Sequence, residues 1–435
     1  MKLIKKFFAA MFAVTIGIVF FLQDSAEAKN TYSISCTNSA YGVQLGGEYI
    51  THSYVKVQTS DGVYQDSVDW TNHGNYVGRD CLYSGAAKTN GTAVVAGDVA
   101  RNAINSIIGS VAGRINAAYS AADTGSGTGL TFTNNSHGVG MAANRIFGGL
   151  SIWGDYGTSD FENTQSFVNV QSDTNRYDGD SNSWSLGVDK NFGKLLVGLV
   201  MSNYDADLTT EFNDGTYKQD IETYGAYVAY RTKMLTIDIG IGTGDTDINT
   251  ERRDLGNDKT ITGSTQGEVN YTSARVQMNF ERGRFTITPR IAHKDIDIDV
   301  DAFTETVPSD TTGSAIFYSN NETLTTDNVA VAGRTVSSTI TEGGINISGS
   351  LGAIAPFIDI AYQNESTTSP VYESETTADA STELSATSHS GSWVLGGGIN
   401  FALGSKITGG ISVGSVSGRD EYNETFASGG LSLRF

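Results

Sequence analysis

Few residues of this chain have the types and spacing that enzyme chemistry needs. Gly410-Ile-Ser-Val-Gly414 fits the Gly-x-Ser-x-Gly pattern of a hydrolase nucleophile elbow, which requires a strand–turn–helix with an exposed serine. Here the pattern lies inside a predicted strand of a glycine-rich chain, so coincidence explains it better. Gly179-Asp-Ser-Asn182, another serine-hydrolase pattern, lies in a predicted surface loop without a companion motif. We therefore predict no catalytic residue and no enzymatic activity.

Metal chemistry has no better support in the sequence. None of the five histidines has the spacing of a metal site. The acidic stretches 245–258 and 295–301 match no EF-hand loop, so solvated surface loops are the better interpretation. We expect neither a metal nor a cofactor. The histidines are His52, His73, His137, His293 and His389.

The first 28 residues have the three parts of a secretory signal peptide. A start with three lysines precedes an apolar run over residues 7–22, and Ala26-Glu-Ala28 fits the small-x-small cleavage pattern. A membrane anchor is the alternative, but the run is short and a cleavage site follows it. We predict that the mature chain begins at Lys29 and leaves the cytoplasm.

Cys36 and Cys81 are the only cysteines of the chain. Two thiols in an exported protein most simply form a disulfide with each other. A metal site is the alternative, but only His52 and His73 lie nearby in the sequence. We therefore predict a Cys36–Cys81 disulfide.

Charge and hydropathy exclude several classes of protein. The formal net charge is −20 at pH 7, which disfavours nucleic acid and anionic lipid as partners. After residue 28 no segment has the ~20 consecutive apolar residues of a transmembrane helix. If the protein lies in a membrane it must cross it as a closed barrel, because lipid leaves no other way to satisfy the backbone.

Apolar and polar residues alternate from residue 146 onward, which is the period of β-strands. Twelve strands are predicted, and short turns alternate with mostly long loops. This asymmetry is typical of outer-membrane barrels, whose short turns lie in the periplasm. The predicted strands are 146–158, 183–192, 195–206, 220–231, 234–245, 269–280, 284–296, 336–348, 354–365, 388–402, 406–416 and 424–435.

The two faces of these strands differ in polarity, so one is expected to face lipid and the other the lumen. A water-soluble barrel would place the apolar face inside, and periodicity alone does not distinguish the two. The signal peptide, the even strand count and the final Phe favour lipid outside. Trp153, Trp184 and Trp393 lie near strand ends, as an aromatic girdle requires. The charges predicted to face the lumen, where opposite charges can pair, are Asp189, Asp238, Arg275, Arg290, Glu342, Asp359 and Arg434.

Residues 93–120 have the period of an amphipathic helix, with an apolar stripe from Val99 to Ala118, and a linker follows to residue 138. A twelve-stranded barrel is wider than the eight-stranded kind that side chains fill, so we expect the helix in the lumen. A polar lumen suits the stripe poorly, and packing in the periplasm or on the N-terminal module is the alternative. The polar helix residues are Arg101, Asn105 and Arg114, and the arginines are expected to meet acids such as Asp189, Asp238 or Asp359.

Residues 29–92 are rich in Thr, Ser, Asn, Gly and Tyr, and they suggest a small module with short strands at 54–58 and 63–70. The final residues, 426–435, alternate up to the terminal Phe435 and suit the closing strand of a barrel. The predicted organisation is a signal peptide (1–28), a module (29–92), a helix with linker (93–138) and a barrel (139–435). The predicted fold class is an all-β membrane protein with a 12-stranded antiparallel barrel.

The helix, the linker, the first-strand sequence Gly149-Leu-Ser-Ile-Trp-Gly-Asp-Tyr-Gly157 and the C-terminal Leu-Ser-Leu-Arg-Phe together resemble a classical monomeric autotransporter of type V secretion. The resemblance implies a barrel that translocates or anchors its own N-terminal passenger at the cell surface, with the helix plugging the pore. The passenger would be unusually small. The asparagine pair that some members cleave within the helix is absent.

The resemblance also implies a location and partners. The protein would be a monomer in the outer membrane of a Gram-negative bacterium, in contact with lipid, periplasmic chaperones and the barrel assembly machinery. That machinery would read Leu431, Leu433 and Phe435. Two alternatives stay open: a narrow porin-like or structural barrel with a periplasmic N-terminal plug, and a barrel enzyme such as a protease or lipase.

Overall fold

The computed structural model contains an N-terminal group of strands, a long helix and a large sheet closed into a barrel. It describes residues 31–36, 43–45, 48–50, 55–58, 81–83, 90–123, 150–163, 177–210, 215–232, 234–254, 259–306, 329–367, 371–375, 381–385, 391–403, 407–419 and 422–433. The predicted signal peptide, the linker after residue 123, Arg434 and Phe435 lie outside these residues.

The predicted N-terminal module contains five short strands among its described residues. The predicted strand 54–58 is present, whereas the one over 63–70 lies outside the described part of the chain. The first, fourth and fifth of these strands form one antiparallel sheet, in which Cys36 lies directly opposite Cys81 in the backbone register. These strands are β1 (Thr31–Cys36), β2 (Val43–Leu45), β3 (Glu48–Ile50), β4 (Val55–Gln58) and β5 (Cys81–Tyr83).

Two helical segments follow, α1 (Gly91–Val94) and α2 (Ala96–Asp123). The helical region begins two residues before the predicted start, because the side chain of Asn90 accepts a hydrogen bond from the backbone N–H of Thr92 at 2.9 Å and so caps the first turn. Among the described residues, neither α2 nor any other helix has the length and apolar character that crossing a membrane requires.

The barrel is a closed antiparallel sheet of twelve strands, as predicted, and its last strand pairs with its first. Each strand is hydrogen-bonded to its neighbours in sequence, so the chain runs up and down around the barrel. The twelve are β6 (Leu150–Asn163), β7 (Tyr177–Asn191), β8 (Leu195–Thr210), β9 (Gly215–Arg231), β10 (Leu235–Asp254), β11 (Lys259–Met278), β13 (Phe285–Val300), β16 (Arg334–Gly349), β17 (Ile354–Thr367), β20 (Gly391–Leu403), β21 (Ile407–Arg419) and β22 (Tyr422–Leu433).

Short accessory strands accompany the barrel. One of them continues β11 after Asn279, and the others pair in two hairpins within the connections after β13 and β17. They are β12 (Phe280–Arg282), β14 (Phe303–Glu305), β15 (Val329–Val331), β18 (Val371–Glu375) and β19 (Ser381–Ser385).

Several barrel strands are longer than predicted. Residues 246–268, predicted as a loop, mostly extend β10 and β11, each of which has 20 residues. At ~3.3 Å per residue such a strand reaches ~66 Å, far beyond the ~25 Å apolar band of an outer-membrane barrel. The outward-facing side chains of the extensions are polar, and for that reason the sequence predicts a loop there. Ile248 and Ile261, on the inward face, are buried.

The outer surface of the barrel carries the apolar belt. On β10, Ile237, Ile239 and Ile241 are 40%, 51% and 57% exposed, and Asp245 and Asp247 follow on the same face in the strand extension. A row of exposed aliphatic side chains of this kind is unfavourable in water and favourable in lipid. The outer face is therefore the lipid-facing one.

Inward-facing aromatic rings lie over glycines of neighbouring strands. A Cβ atom on Gly198 would come within 2.2 Å of the Tyr227 ring, and one on Gly187 within 2.3 Å of the Trp153 ring. Glycine is required at such close approaches, which explains part of the chain's high glycine and tyrosine content. Trp153 is 2% exposed and donates a hydrogen bond to the Tyr227 hydroxyl at 3.0 Å. Its predicted place in the outer girdle is therefore wrong.

Candidate functional site

Helix α2 lies inside the barrel. It contacts most of the twelve barrel strands, and every residue from Asp98 to Asn116 is buried. Side chains of the surrounding strands hydrogen-bond to it over this whole length. The lumen is therefore occupied by the helix and is the candidate functional site of the protein.

The apolar stripe of α2 faces a part of the lumen wall that is itself apolar. Val99, Ala103 and Ile107 belong to one buried cluster with inward-facing residues such as Tyr217 and Ile296. Nearer the other end, Val111 and Ile115 cluster with Trp153, Leu196, Val200, Tyr227 and Ala229. The lumen is therefore polar only in part, and the stripe is buried against aliphatic and aromatic wall residues.

A mouth cluster of four buried side chains holds the chain where α1 begins. The Asn90 amide donates to Thr250 Oγ1 at 2.9 Å and to Glu305 Oε1 at 2.7 Å. Glu305, on the accessory strand β14, also accepts from Arg252 Nη2 at 2.7 Å and from Arg252 Nε. The connection after β13 thus turns back to hold the chain at this end of the lumen.

Arg101 is fully buried on α2 and is surrounded by acids. Its guanidinium nitrogens lie 3.6 Å from Glu424, 3.7 Å from Glu365 and 3.8 Å from Asp98. These nitrogens make no hydrogen bond to a described residue, and the guanidinium stacks on the Tyr422 ring at 3.9 Å from its centroid. Charge and cation–π attraction therefore hold Arg101.

The acids around Arg101 have further partners. Arg419 Nη1 lies 3.0 Å from both Asp98 and Glu365. Asp98 also accepts hydrogen bonds from the Asn163 amide at 2.9 Å and from the Tyr177 hydroxyl. Burying a charge is costly unless it is paired, and each charge in this network has an opposite charge within reach.

A second ion-pair network lies on the wall beside the middle of α2. Arg290 binds Asp359 with two hydrogen bonds of 2.7 and 2.8 Å, and it donates to Glu342 at 2.7 Å. Lys294 lies 3.3 Å from Glu342 and donates to Asn105 Oδ1 at 2.8 Å. Asn105 is thereby tied to the wall.

Arg114 holds the C-terminal half of α2 in place. It makes two hydrogen bonds to the Asp189 carboxylate, one of them at 2.7 Å, and the Tyr227 hydroxyl donates to the same carboxylate at 2.8 Å. All three side chains are buried. Such bidentate arginine–carboxylate pairs combine strength with a fixed orientation.

Arg275 and Gln277, two neighbouring residues of β11, hold the helix near Asn116. Arg275 donates to Asp238 at 2.9 Å and also to the Ala112 carbonyl oxygen at 3.2 Å. Gln277 donates to Asn116 Oδ1 at 2.6 Å. Since Gln277 pairs with Thr236, next to a short turn, this end of the helix lies at the short-turn end of the barrel.

The helix thus crosses the barrel from end to end. Asn90 contacts Thr250, far along β10 from the short turns, and Asn116 contacts Gln277, close to them. The 26 residue steps from Asn90 to Asn116 span ~39 Å as a helix, more than the ~30 Å hydrocarbon core of a bilayer. The chain before Asn90 therefore joins the helix at the end opposite the short turns.

The sequence model of the autotransporter beta-domain matches residues 159–414, more than half of the chain. The chain belongs to the autotransporter β-domain family. Members of this family are outer-membrane barrels of Gram-negative bacteria, so this autotransporter lies in that membrane, as predicted. The family is not an enzyme family. No curated protein matches the chain in sequence.

Solved autotransporter barrels resemble this one in fold. The translocator domain of autotransporter NalP from Neisseria meningitidis is 14% identical, with 66% of this chain and 89% of that chain covered and a TM-score of 0.50. The β domain of the Bordetella autotransporter BrkA is 15% identical over 66% of this chain and 100% of that chain, with a TM-score of 0.48. The transport unit of AIDA-I from Escherichia coli is 12% identical over 74% and 99%, with a TM-score of 0.43.

The autotransporter lumen brings most of the residues predicted for it into contact. Arg114 meets Asp189, one of the acids expected for it, whereas Arg101 meets Glu424, Glu365 and Asp98 instead. Arg434 lies outside the described residues. Sequence reasoning missed several buried lumen charges, although Lys294 and Glu365 share the strand face of Arg290 and Asp359, so continued alternation would have identified them. The missed charges are Asp98, Asp155, Arg252, Lys294, Glu305, Glu365, Arg419 and Glu424.

The described residues of the autotransporter contain no catalytic constellation at either serine pattern. Ser412 lies within strand β21 and shares a hydrogen bond of 2.7 Å with Ser428, and Ser181 shares one of 2.8 Å with Ser159. No group of three or more His, Cys, Asp or Glu in this part of the chain has metal-binding geometry.

Proposed function

We propose that this autotransporter barrel translocates or anchors its own N-terminal segment and presents it at the cell surface. The segment is the chain before Asn90, the greater part of the module predicted over 29–92. The observation that carries the proposal is the direction in which α2 crosses the lumen. Short turns mark the periplasmic end of an outer-membrane barrel, and Asn90 lies at the opposite, extracellular end.

The mouth cluster supports anchoring over release. Asn90 is held by two hydrogen bonds, and its partner Glu305 is itself held by Arg252. Arg101 and Arg114 add charged contacts along the helix, so the chain would stay attached once the segment has passed through. Chain attached in this way links the surface segment to the membrane.

Cleavage by an external protease tests surface display. A recognition sequence for a site-specific protease is inserted between Gln58 and Cys81, and the protease is added to intact cells. We expect cleavage, because the insertion lies on the extracellular side of Asn90. The matched control carries the same sequence in the 350–353 turn between β16 and β17, and it should be cut only after the outer membrane is permeabilised.

Protection of both sites in intact cells would contradict display. It would favour the alternative, a narrow barrel whose N-terminal segment is a periplasmic plug. Cleavage of both sites in intact cells would mean that the membrane leaks, and a permeability control with a periplasmic enzyme identifies that case.

The family also suggests that the barrel assembly machinery reads the end of β22, through Leu431, Leu433 and Phe435. By the alternation of the sequence we predict that these three residues continue the row of Ala427 and Gly429, which faces outward. We predict that Leu433→Asp, or deletion of Phe435, removes most of the folded, heat-modifiable barrel from the outer membrane. Ser432→Asp, on the opposite row, is the matched control. Equal levels of Leu433→Asp and unmodified protein would contradict the prediction.

We also predict one intramolecular disulfide between Cys36 and Cys81. Residues directly opposite each other on antiparallel strands have Cα atoms about 4.5–5.5 Å apart, which is within the range of a disulfide. In the chain-entropy model a loop of this length is stabilised by about 3–4 kcal/mol. Mass spectrometry after alkylation without reductant should find no modified cysteine. Two alkylated thiols would refute the bridge.

A further inference from the structure

The outer surface of the barrel separates its charges by end. Beyond the apolar belt, the strand extensions carry many outward-facing acids, and among the residues with described side-chain exposure the one outward-facing cation there is Lys218. At the opposite end, around the short turns, the described cations outnumber the described acids. The acids, which we call the acidic band, are Asp160, Glu162, Asp178, Asp180, Asp205, Asp207, Asp220, Glu222, Asp245, Asp247, Glu251, Glu268, Asp295, Asp297 and Asp299.

Five of the described cations lie at three consecutive short turns, with Glu281 as the one acid described among them. We call these cations the basic rim. The next short turn, residues 350–353 between β16 and β17, carries no charge. The rim residues are Lys190, Lys194, Arg231, Arg282 and Arg284.

Exposed rings accompany the basic rim. Phe192 is 58% exposed between Lys190 and Lys194, and the Lys190 ammonium lies 5.2 Å from its ring centroid. At the third turn Phe280 and Phe285 are 43% and 52% exposed, on either side of Arg282 and Arg284. These rings continue the lipid-facing belt down to the level of the cations.

This combination matches the interface of a membrane leaflet. Aromatic rings settle at the boundary between acyl chains and headgroups, and long basic side chains extend from there to the phosphates. The short-turn end faces the periplasm, so the leaflet concerned is the periplasmic one. The negative net charge of the chain does not oppose this contact, because the acidic band lies at the other end, beyond the membrane.

We propose that the basic rim binds the headgroups of anionic phospholipids in the periplasmic leaflet and prefers them to zwitterionic ones. The inference rests on the outer-membrane location of the barrel and is independent of surface display.

Native mass spectrometry of the full chain, titrated with phosphatidylglycerol or phosphatidylcholine in detergent, tests the proposal. The intact protein should bind phosphatidylglycerol more tightly. The variant Lys190→Gln/Lys194→Gln/Arg282→Gln/Arg284→Gln should lose most of that preference, because four of the five cations of the basic rim are removed. Its affinity for phosphatidylcholine should not change, which also shows that it is folded.

The matched control neutralises four acids of the acidic band, Asp160→Asn/Asp180→Asn/Asp205→Asn/Asp207→Asn. The phosphatidylglycerol preference should stay as in the intact protein, whereas an effect of net charge alone would strengthen it. If the fourfold rim variant does not fold, Lys190→Gln/Lys194→Gln gives the same comparison at one turn. Equal affinity of the intact protein for both lipids, or an undiminished preference in the rim variants, would overturn the proposal.

Discussion

Deletion of residues 93–120 should turn the barrel into a conducting pore. A twelve-stranded barrel is wider than the eight-stranded kind that wall side chains fill, and α2 occupies the difference. A helix with its side chains is about 10–12 Å across, so its removal opens a water-filled channel. In planar bilayers the single-channel conductance should rise several-fold above that of the intact protein.

A variant that keeps the helix but loosens it provides the comparison. Arg101→Ala/Arg114→Ala removes the charged contacts with Glu424, Glu365, Asp98 and Asp189 while leaving the apolar stripe. We expect brief openings to the conductance of the deletion variant, since the helix would leave the lumen only intermittently. If the deletion variant inserted normally and conducted no more than the intact protein, the helix would not be what closes the pore.

Strand number and strand faces could be predicted because they depend on local pattern. The alternation of apolar and polar residues along β10 predicts that Ile237, Ile239 and Ile241 share one face, and that face is the exposed one. Strand ends could not be predicted in this way. Above the membrane both faces of a strand can be polar or small, so the extensions of β10 and β11 looked like loops.

Which way a side chain of intermediate polarity points depends on its neighbours across the sheet. The aromatic ring of Trp153 and its position near a strand end predict a place in the girdle. It faces inward because Gly187 leaves space for the ring and Tyr227 accepts its hydrogen bond. Neither partner is close to Trp153 in sequence, so no local pattern could have found them.

Ion-pair partners follow the register between strands and the rotation of the helix, and these appear only in three dimensions. The sequence predicted Arg101 and Arg114 as lumen charges, but it could not show that Arg101 meets Glu424, across 323 positions of chain. Two requirements, one on each face of the helix, fix its rotation about its own axis. Its stripe must meet the apolar wall, and its arginines must meet the acids.

Arg290→Met should destabilise the folded barrel strongly. Arg290 makes three hydrogen bonds to Asp359 and Glu342, and its side chain is 2% exposed. Without it Glu342 keeps Lys294, whereas Asp359 keeps, among the described residues, only the hydrogen bond from the Asn346 amide at 3.2 Å. Breaking a buried pair from one side costs about 3–5 kcal/mol, because a buried charge stays uncompensated. Urea titration in phospholipid vesicles, followed by the heat-modifiable gel band, measures the free energy of unfolding.

Two further variants show whether burial of the charge is the cause. Arg290→Met/Asp359→Asn removes the uncompensated charge and should recover most of the loss, whereas independent effects would add. Lys218→Met breaks the exposed pair with Asp207, whose side chains are 56% and 49% exposed, and it should leave the free energy of unfolding unchanged within error. If Arg290→Met were as harmless as Lys218→Met, water in the lumen would have to screen these charges. The helix would then be held by its apolar stripe alone, and the opening expected for Arg101→Ala/Arg114→Ala should fail as well.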